Sequence, residues 1–427
     1  MKLLYIDPGT GSMLFSILIG AAATVYFLAR ALVIKAKVFF SGGKSAVLAT
    51  GRKSFVIYCE GKQYWNVFKP VLDEFEARKT ELCYLTSAED DPVFEAGYQY
   101  VKPEYIGEGN RAFARLNMLS AEVVLMTTPG LDVYQLKRSK AVKHYAHILH
   151  APSDATMYRL FGLDYYDSVL LTGDYQAADI RYLEEKRGIT RKTLTTVGCT
   201  YLDEYAAKMR YTVDGAAAGA LDGSAALTVL VSPSWGQSAL LAKYGSRLLD
   251  PLVKTGWKVI VRPHPQSKKS EMTMLTALEA RYKDTPNLEW DYERDNIYSL
   301  SKADVMISDF SGIIFDYTFL RDKPVLYTNQ NIDLRPYDAD DICSDENGKT
   351  DVLKLWQFRA LKEFGIELKE EMFSRINEVI EEALNESGAG SAAVCFSDAR
   401  RRARNAAWMH PGEAGKRAVD FMMSARG

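Results

Sequence analysis

Two histidines are the clearest candidates for chemistry, because each follows an apolar run and lies beside proline or small residues. His150 lies in the segment HYAHILHAP at residues 144–152, and His264 lies in VIVRPHP at residues 259–265. A neutral imidazole near pH 7 can accept a proton from an attacking hydroxyl, so His150 is a candidate general base. Prolines on both sides of His264 restrict its backbone, which holds this imidazole in place to stabilise charge on a phosphate. Both histidines are therefore candidate catalytic residues.

The three histidines of the segment 144–152 could also be interpreted as metal ligands. In an extended strand His144 and His150 share one face while His147 points to the other, so the three imidazoles cannot easily converge. Ordinary structural histidines explain the same spacing, and a rigid turn with exposed polar groups explains RPHP. The acidic groups at 90–91 and 338–341 are typical of solvated turns. We therefore assign no metal and no cofactor.

Six residues at the ends of apolar runs are candidates for binding the phosphate groups of a ligand: Arg262, Ser234, Ser308, Asp309, Ser311 and Gly312. Arg262 offers planar donors suited to phosphate oxygens. In VMISDFSGIIFD, residues 305–316, free backbone amides at a helix start would join Ser308 and Ser311 around a diphosphate. An ordinary helix N-cap explains the same residues, and Asp309 can orient the loop rather than react. In VSPSWG, residues 231–236, Ser234 borders an interdomain cleft or belongs to a turn that packs Trp235 into the core.

Composition and missing motifs exclude several classes of protein. No phosphate-loop or dinucleotide glycine motif stands at a strand-to-helix junction, which disfavours kinases, ATPases and dehydrogenases. The 53 basic and 55 acidic residues give a net charge of −2, so nucleic acid is not an expected partner. The five cysteines are scattered singly, which fits a reducing compartment.

The elements that must position these residues alternate between short β-rich runs and longer helical segments. Predicted strands in the first half are Ser54–Tyr58, Leu82–Thr86, Val123–Thr127, His144–His150, Val169–Thr172 and Thr193–Val197. Those in the second half are Leu227–Val231, Lys258–Val261, Leu288–Trp290, Val305–Ile307 and Val325–Tyr327. Such alternation predicts two α/β domains with parallel sheets covered on both faces. Ligands of such sheets bind beyond the carboxyl ends of the strands, where the candidate residues lie.

A length of 427 residues predicts two domains with an additional segment. The small-residue run at 211–226 is typical of an interdomain linker. We place the first domain at residues 41–210, the second at 227–385 and a helical segment at 386–427.

The amino terminus differs from the rest, because no residue between Asp7 and Arg30 is charged. Residues 13–29 are almost wholly apolar and, with their flanks, suffice to cross a bilayer. Basic residues are more frequent after this run than before it, which predicts a single-pass membrane anchor, residues 1–40, with the following domains in the cytoplasm. A cleaved signal peptide and a buried core helix are the alternatives.

Five motifs in order, HILHAP, SPSWG, RPHP, SDFSGIIFDY and HPGEAGKRAVDFM, resemble the CDP-glycerol glycerophosphotransferase family, which includes teichoic acid primases and polymerases. The resemblance runs from about Val142 to the carboxyl terminus. It implies a GT-B architecture: two Rossmann-like domains face a cleft, and the terminal helical segment crosses back to the first. By motif position, His150 and His264 would be the central functional pair. Residues 149–151 read Leu-His-Ala where the family commonly has Trp-His-Gly.

The resemblance implies an enzyme that moves glycerol phosphate, or another alditol phosphate, from a CDP-linked donor to a hydroxyl, with release of CMP. The acceptor would be a lipid-linked precursor or a surface polymer at the bacterial membrane. A GT-B glycosyltransferase that uses a nucleotide sugar is one alternative. A non-catalytic, membrane-anchored binding protein on the same fold is another, and the sequence leaves the acceptor and the oligomeric state open.

Overall fold

The computed structural model describes residues 51–217, 227–293, 295–329, 332–385 and 391–427. The predicted membrane anchor, with its apolar run at 13–29, lies outside these residues. Among the helices that the structure does describe, none combines the length and the apolar character needed to cross a bilayer.

The first domain is built on a seven-stranded sheet in the order β3-β2-β1-β4-β5-β6-β7. Its strands are β1 Lys53–Cys59, β2 Leu82–Thr86, β3 Val101–Tyr105, β4 Ala121–Met126, β5 Val142–Ile148, β6 Ser168–Leu171 and β7 Thr193–Thr196. The connecting helices are α1 Trp65–Ala77, α2 Asn110–Leu116, α3 Gln176–Arg187 and α4 Thr200–Ala217. The strand pairs run parallel, and apolar clusters cover both faces, so the central strands are continuously buried.

The second domain repeats this order with six strands, β10-β9-β8-β11-β12-β13. They are β8 Thr228–Val231, β9 Lys258–Val261, β10 Leu288–Trp290, β11 Val305–Ser308, β12 Val325–Tyr327 and β13 Ile366–Glu367. Its helices are α5 Leu240–Tyr244, α6 Ser246–Lys254, α7 Ser267–Ser270, α8 Met272–Tyr282, α9 Ile297–Lys302, α10 Ile313–Arg321, α11 Asp340–Cys343, α12 Trp356–Phe364 and α13 Ile376–Leu384. The described residues also form five short 3₁₀ helices: Lys62–Tyr64, Pro92–Phe94, Ala155–Met157, Val352–Lys354 and Glu370–Arg375.

Both sheets have a switch point where the strand order reverses, between β1 and β4 in the first and between β8 and β11 in the second. Open α/β sheets bind ligands in the crevice that such a reversal creates at the carboxyl ends of the strands. The prediction of two parallel-sheet α/β domains is confirmed.

Three elements differ from the sequence predictions. Strand β3 was not predicted because its sequence VKPEY is polar and contains proline, which a strand at the sheet edge tolerates. Strand β13 was also not predicted, because it is only two residues long. Residues 211–217, placed in the linker, instead continue α4 to Ala217.

The carboxyl-terminal segment crosses back onto the first domain. It forms α14 Ser391–Ala407 and α15 Ala414–Ala425, and Ala418, Val419 and Met422 join the core cluster below the first sheet. Close approach requires glycine at two points: a Cβ at Gly173 would collide with the Ala406 carbonyl, and one at Gly198 with the Met409 carbonyl. Gly198 also has φ +100°, a conformation that favours glycine.

Candidate functional site

His150 lies just beyond the end of β5, next to the switch point of the first sheet. Its Nδ1 is 3.1 Å from Thr127 Oγ1, which follows β4, and 3.0 Å from the Tyr158 hydroxyl. The ring of Tyr64, from the loop after β1, makes an edge contact with the imidazole. No hydrogen bond engages Nε2 in the described part of the chain. Burial lowers the pKa of His150 to about 4, so the imidazole is neutral at pH 7.

The neighbouring histidines are placed differently from the expectation. Because β5 ends at Ile148, the alternation along a strand does not extend to His150. His147 therefore reaches the same tyrosine as His150, with its Nε2 3.2 Å from the Tyr158 hydroxyl. His144 Nε2 bonds instead to Ser168 Oγ. Within the described ranges, no three His, Cys, Asp or Glu side chains converge on a point suited to a metal ion.

A pocket of about 290 Å³ opens at His150, and we call it the His150 pocket. Its lining comes from the loops after β1, β4 and β5: Tyr64, Pro129, Leu149, His150, Ala151, Ser153, Asp154, Ala155, Met157 and Tyr158. The general base candidate is thus a wall of a cavity rather than a packed core residue.

The loop that closes this pocket contacts the second domain. The Asp154 carboxylate accepts hydrogen bonds from the amides of Trp356 and Gln357 at the start of α12. The Tyr201 hydroxyl, on α4, donates to the Asp316 carboxylate at 3.1 Å, on α10. Since α4 follows β7 and α10 follows β11, these contacts join the carboxyl-end edges of the two sheets.

His264 lies beyond the end of β9 and is half-buried. Its Nδ1 accepts a hydrogen bond of 3.1 Å from the Gln266 amide, which fixes the neutral tautomer with the proton on Nε2. Burial lowers the pKa of His264, which favours the same neutral form. The Trp235 ring lies nearby, with ring centroids 6.4 Å apart. His264 therefore presents one N–H donor, and no side chain in the described chain accepts it.

Arg262, predicted to bind phosphate, is buried, and its guanidinium is hydrogen-bonded to other groups of the protein. Its guanidinium donates to the Asp291 carboxylate at 2.6 Å and to the Glu293 carbonyl at 2.7 Å. Asp291 is itself 4% exposed and also accepts the Ser299 hydroxyl. These contacts fix the loop after β10 against the loop after β9.

Asp309 organises the switch point of the second sheet. One carboxylate oxygen accepts the amides of Ser234, Phe310 and Ser311, and the other accepts the amide of Leu240. Burial raises the pKa of Asp309, and the backbone hydrogen bonds from Leu240 and Ser234 oppose this shift. The amides of Phe310 and Ser311, expected to be free for a diphosphate, are therefore committed to this carboxylate.

The other candidates in the segment 308–312 divide into two groups. Ser308 is fully buried, and its hydroxyl donates to the Ser232 carbonyl at 2.6 Å, tying β11 to β8. Ser311 is half-buried, Gly312 is exposed, and a Cβ added at Gly312 would meet open space. The Ser311 hydroxyl and the Gly312 amide donate to no acceptor among the described residues. Only these two of the predicted loop residues present donors at the surface.

A second pocket, of about 310 Å³, opens beside the Asp309 loop, and we call it the Asp309 pocket. Phe310, Tyr327 and Lys362 are in its wall, together with the chain that follows β12. Aromatic and polar side chains in one cavity are typical of a small-molecule site.

Sequence reasoning missed the partners of His150 and Arg262. Thr127, Tyr158 and Asp291 have no motif of their own, and they reach His150 or Arg262 across 23, 8 and 29 residues. The position of Thr127 at the carboxyl end of the predicted strand Val123–Thr127 was the one signal that pointed to the site.

One family model matches part of the second domain. Residues 238–345 match the model of the family described as CDP-glycerol:poly(glycerophosphate) glycerophosphotransferase. This match confirms the resemblance inferred from the motifs. Among curated protein sequences, none matches the chain.

Solved structures resemble the chain at the level of the fold. A variant of the wall teichoic acid polymerase TagF has a TM-score of 0.55 at 12% identity, covering 88% of this chain and 89% of the other. A TagF variant soaked with CDPG has a TM-score of 0.53 at 14% identity, covering 94% and 98%. The UDP-GlcNAc 2-epimerase of Methanocaldococcus jannaschii, in complex with UDP-GlcNAc and UDP, has a TM-score of 0.54 at 12% identity, covering 87% and 99%. Since two different activities give similar scores, the fold does not choose between them.

Proposed function

We propose, from the premise that this chain is a transferase of the CDP-glycerol glycerophosphotransferase type, that it transfers glycerol phosphate from CDP-glycerol to an acceptor hydroxyl and releases CMP. The observation that carries this proposal is the placement of His150. It lines a 290 Å³ pocket, its imidazole is neutral, and its Nε2 has no hydrogen-bond partner among the described residues.

In the proposed mechanism, the acceptor hydroxyl enters the His150 pocket and gives its proton to Nε2 of His150. The hydroxyl oxygen bonds to the phosphorus that carries the glycerol, and the bond from that phosphorus to the bridging oxygen breaks. CMP leaves with the bonding electron pair. Such a reaction needs chiefly positioning and charge stabilisation, which two domains joined at their carboxyl-end edges can supply.

A hydrogen-bonded chain supports the base. Thr127 Oγ1 and the Tyr158 hydroxyl can both accept a hydrogen bond from Nδ1–H of His150, which keeps the proton on Nδ1 and the lone pair on Nε2. The Tyr158 hydroxyl can then donate to Nε2 of buried His147. Because the assigned tautomer depends on these hydroxyls, Tyr158 is a positioning residue for His150.

The donor is proposed to lie at the second domain. His264 would donate its Nε2–H to a phosphate oxygen and stabilise charge on the departing CMP. The Ser311 hydroxyl and the Gly312 amide would bind the diphosphate, and the Asp309 pocket would hold the nucleoside. Arg262 and Asp309 would shape this surface rather than contact the donor, because their polar atoms are already bonded.

Membrane anchoring through residues 13–29, with the transferase domains in the cytoplasm, is also proposed. It rests on the apolar run and on the basic residues that follow it. An anchor of this kind would keep the enzyme near a lipid-linked acceptor.

A donor panel tests the proposed reaction. Full-length protein is incubated with CDP-glycerol, CDP-ribitol and UDP-sugars in the presence of a lipid-linked acceptor, and both the released nucleotide and the product mass are measured. We expect CMP and a product heavier by one glycerol phosphate. UDP with a transferred sugar would instead support a nucleotide-sugar transferase. This is the second candidate because an epimerase with a similar fold binds UDP-GlcNAc and UDP.

His264 is tested in the same assay. His264→Ala should lower turnover about 10²-fold or more, the usual effect of removing one preorganised donor. His264→Gln keeps an N–H donor and should recover part of this loss. Turnover near that of the parent in folded His264→Ala would remove His264 from the mechanism.

A further inference from the structure

A third pocket, of about 480 Å³, lies at the other end of α10 from the Ser311 loop. Helix α10 begins at Ile313, directly after Gly312, whereas the pocket contacts its last residues, Phe319, Leu320 and Arg321. With a rise of about 1.5 Å per residue, the two ends of this helix are roughly 12 Å apart. The other walls come from α4, the end of α14 and the loop that leads to α15. The cavity is therefore separate from the proposed transfer site.

Three arginines line this cavity, so we call it the arginine pocket: Arg210, Arg321 and Arg404. The Nε of Arg321 is buried and has no hydrogen-bond partner in the part of the chain that the structure describes. The Arg404 guanidinium lies 5.1 Å from the centroid of the Trp408 ring. Within the described ranges, the Arg210 guanidinium donates only to the Ala206 carbonyl of its own helix. Among the described residues, none of the three guanidinium groups is in an ion pair.

Three other arginines on α14 do form ion pairs with carboxylates. Arg400 is paired with Asp322, Arg401 with Asp398, and Arg402 with Glu363. Arg404 is the next arginine along the helix, and it points to the pocket lining instead.

The carboxylate in the lining does not neutralise these cations. One oxygen of Asp203 accepts the Trp408 indole N–H and the Gly412 amide, and the other accepts the Ala414 amide. Asp203 therefore holds the loop of the pocket wall in place. Because three arginines and only one carboxylate line the pocket, its lining carries a net positive charge.

The rest of the wall is apolar. Met209, Phe319 and Trp408 are each at most 6% exposed, and Leu320 lies beside them. A ligand that fits this surface needs an anionic group for the guanidinium groups and an apolar part for the side chains. Guanidinium groups bind phosphate oxygens well because their planar donors match them in pairs.

We propose that the arginine pocket is a second ligand site that binds an amphiphilic phosphate ester, with the phosphate at Arg321 and Arg404 and the apolar part against Met209 and Phe319. The volume falls within the usual range for small-molecule sites. The walls come from α4 of the first domain, α10 of the second and the crossing segment α14. A bound ligand therefore stabilises the arrangement of the two domains.

The proposal is tested by calorimetric titration of the full-length protein with phenyl phosphate, in the presence of CMP to occupy the transfer site. We expect one saturable site, weaker binding of inorganic phosphate and a higher unfolding temperature with phenyl phosphate. Arg404→Gln and Arg321→Gln should each weaken binding at least about tenfold, the usual effect of losing one hydrogen bond to a charged group. The matched control is Arg191→Gln, which alters an exposed arginine outside the pocket and should leave binding unchanged.

Competition with monomeric dihexanoyl phosphatidylglycerol distinguishes the sources of the ligand. Displacement of phenyl phosphate by this lipid supports a membrane lipid, and no displacement supports a soluble ester. Absence of saturable binding by both probes overturns the proposal. So does unchanged affinity in Arg404→Gln, whose exposed side chain can be replaced without unfolding, or loss of the site when CMP is added.

Discussion

The loops around His150 and around Asp309 are both built at the switch point of a parallel sheet, yet they use their polar groups differently. At His150, the hydroxyls of Thr127 and Tyr158, from two loops, bond to one nitrogen of the imidazole, and the other nitrogen belongs to a residue that lines a cavity. At Asp309, the carboxylate, the Ser308 hydroxyl and the nearby Arg262 guanidinium are bound within the protein. A polar residue at a strand end can therefore be part of the scaffold or part of the binding surface, and its partners decide which.

The largest expected effect is at His150, which lines the His150 pocket. His150→Ala should lower turnover about 10²- to 10⁴-fold, the usual contribution of a general base. Steady-state kinetics with CDP-glycerol would measure the change. His144→Ala is the matched control, because His144 bonds to Ser168 away from the pocket and should retain turnover within about twofold. Equal losses in both variants would mean that His150 acts only through stability.

The pH profile sharpens this test. The pKa of His150 is lowered to about 4, so the base loses its lone pair to a proton only below that pH. We expect kcat/KM to stay level as the pH falls through 6.5 and to decline near pH 4. A decline centred near 6.5 would indicate a solvated histidine.

The strands were predictable because parallel strands buried on both faces are continuous apolar runs. Examples are VLV in β8 and VIV in β9, the first two strands of the second domain. The polar edge strand β3 and the two-residue β13 lack that signal. The run DGAA, residues 214–217, was assigned to the linker, but alanine also favours helix and it ends α4.

The positions of the site residues were predictable, but their partners were not. His150 and His264 follow apolar runs, so they lie at the carboxyl ends of strands as expected. Which group pairs with Arg262 depends on how two loops pack, and Asp291 is 29 residues away in the chain. No local pattern distinguishes a guanidinium that faces a ligand from one that faces a buried carboxylate.

The next effect tests whether Arg262 is part of the scaffold. Arg262→Ala leaves Asp291 buried without its cation, which should lower the free energy of unfolding by about 3–5 kcal/mol. Chemical denaturation would measure it. The control is Arg281→Ala, whose exposed pair with Asp250 should cost no more than about 1 kcal/mol. A raised KM for the donor with unchanged stability would return Arg262 to the donor site.

A smaller effect concerns the contact that joins the two regions. Burial raises the pKa of Asp316 from 3.8 to about 7, so the folded protein keeps a proton that the unfolded chain loses. The stability from this proton is present below pH 3.8 and is lost as the pH rises to 7. Asp316→Asn should therefore stabilise the protein increasingly across this window, by on the order of 2–4 kcal/mol at pH 8.

Thermal unfolding of the parent and Asp316→Asn from pH 4 to pH 8 would measure this dependence. The exposed Asp333, whose pKa is lowered to about 2 by Arg335, is the control with the opposite sign. Asp333→Asn should give a slight loss of stability that is already present at pH 5. A constant difference between Asp316→Asn and the parent at all pH values would mean that Asp316 is ionised in the fold.

The smallest effects separate two serines of one loop. Ser308→Ala removes a buried hydroxyl that donates to the Ser232 carbonyl, so it should cost about 1 kcal/mol of stability and leave the donor KM unchanged. Ser311→Ala removes a hydroxyl with no partner in the described chain, so stability should stay constant while the donor KM rises about tenfold. Denaturation and donor titration on both variants test this. A raised donor KM in Ser308→Ala with unchanged stability would contradict this assignment. It would mean that the Ser308 hydroxyl binds a phosphate, which requires the hydrogen bond to the Ser232 carbonyl to break when the donor binds.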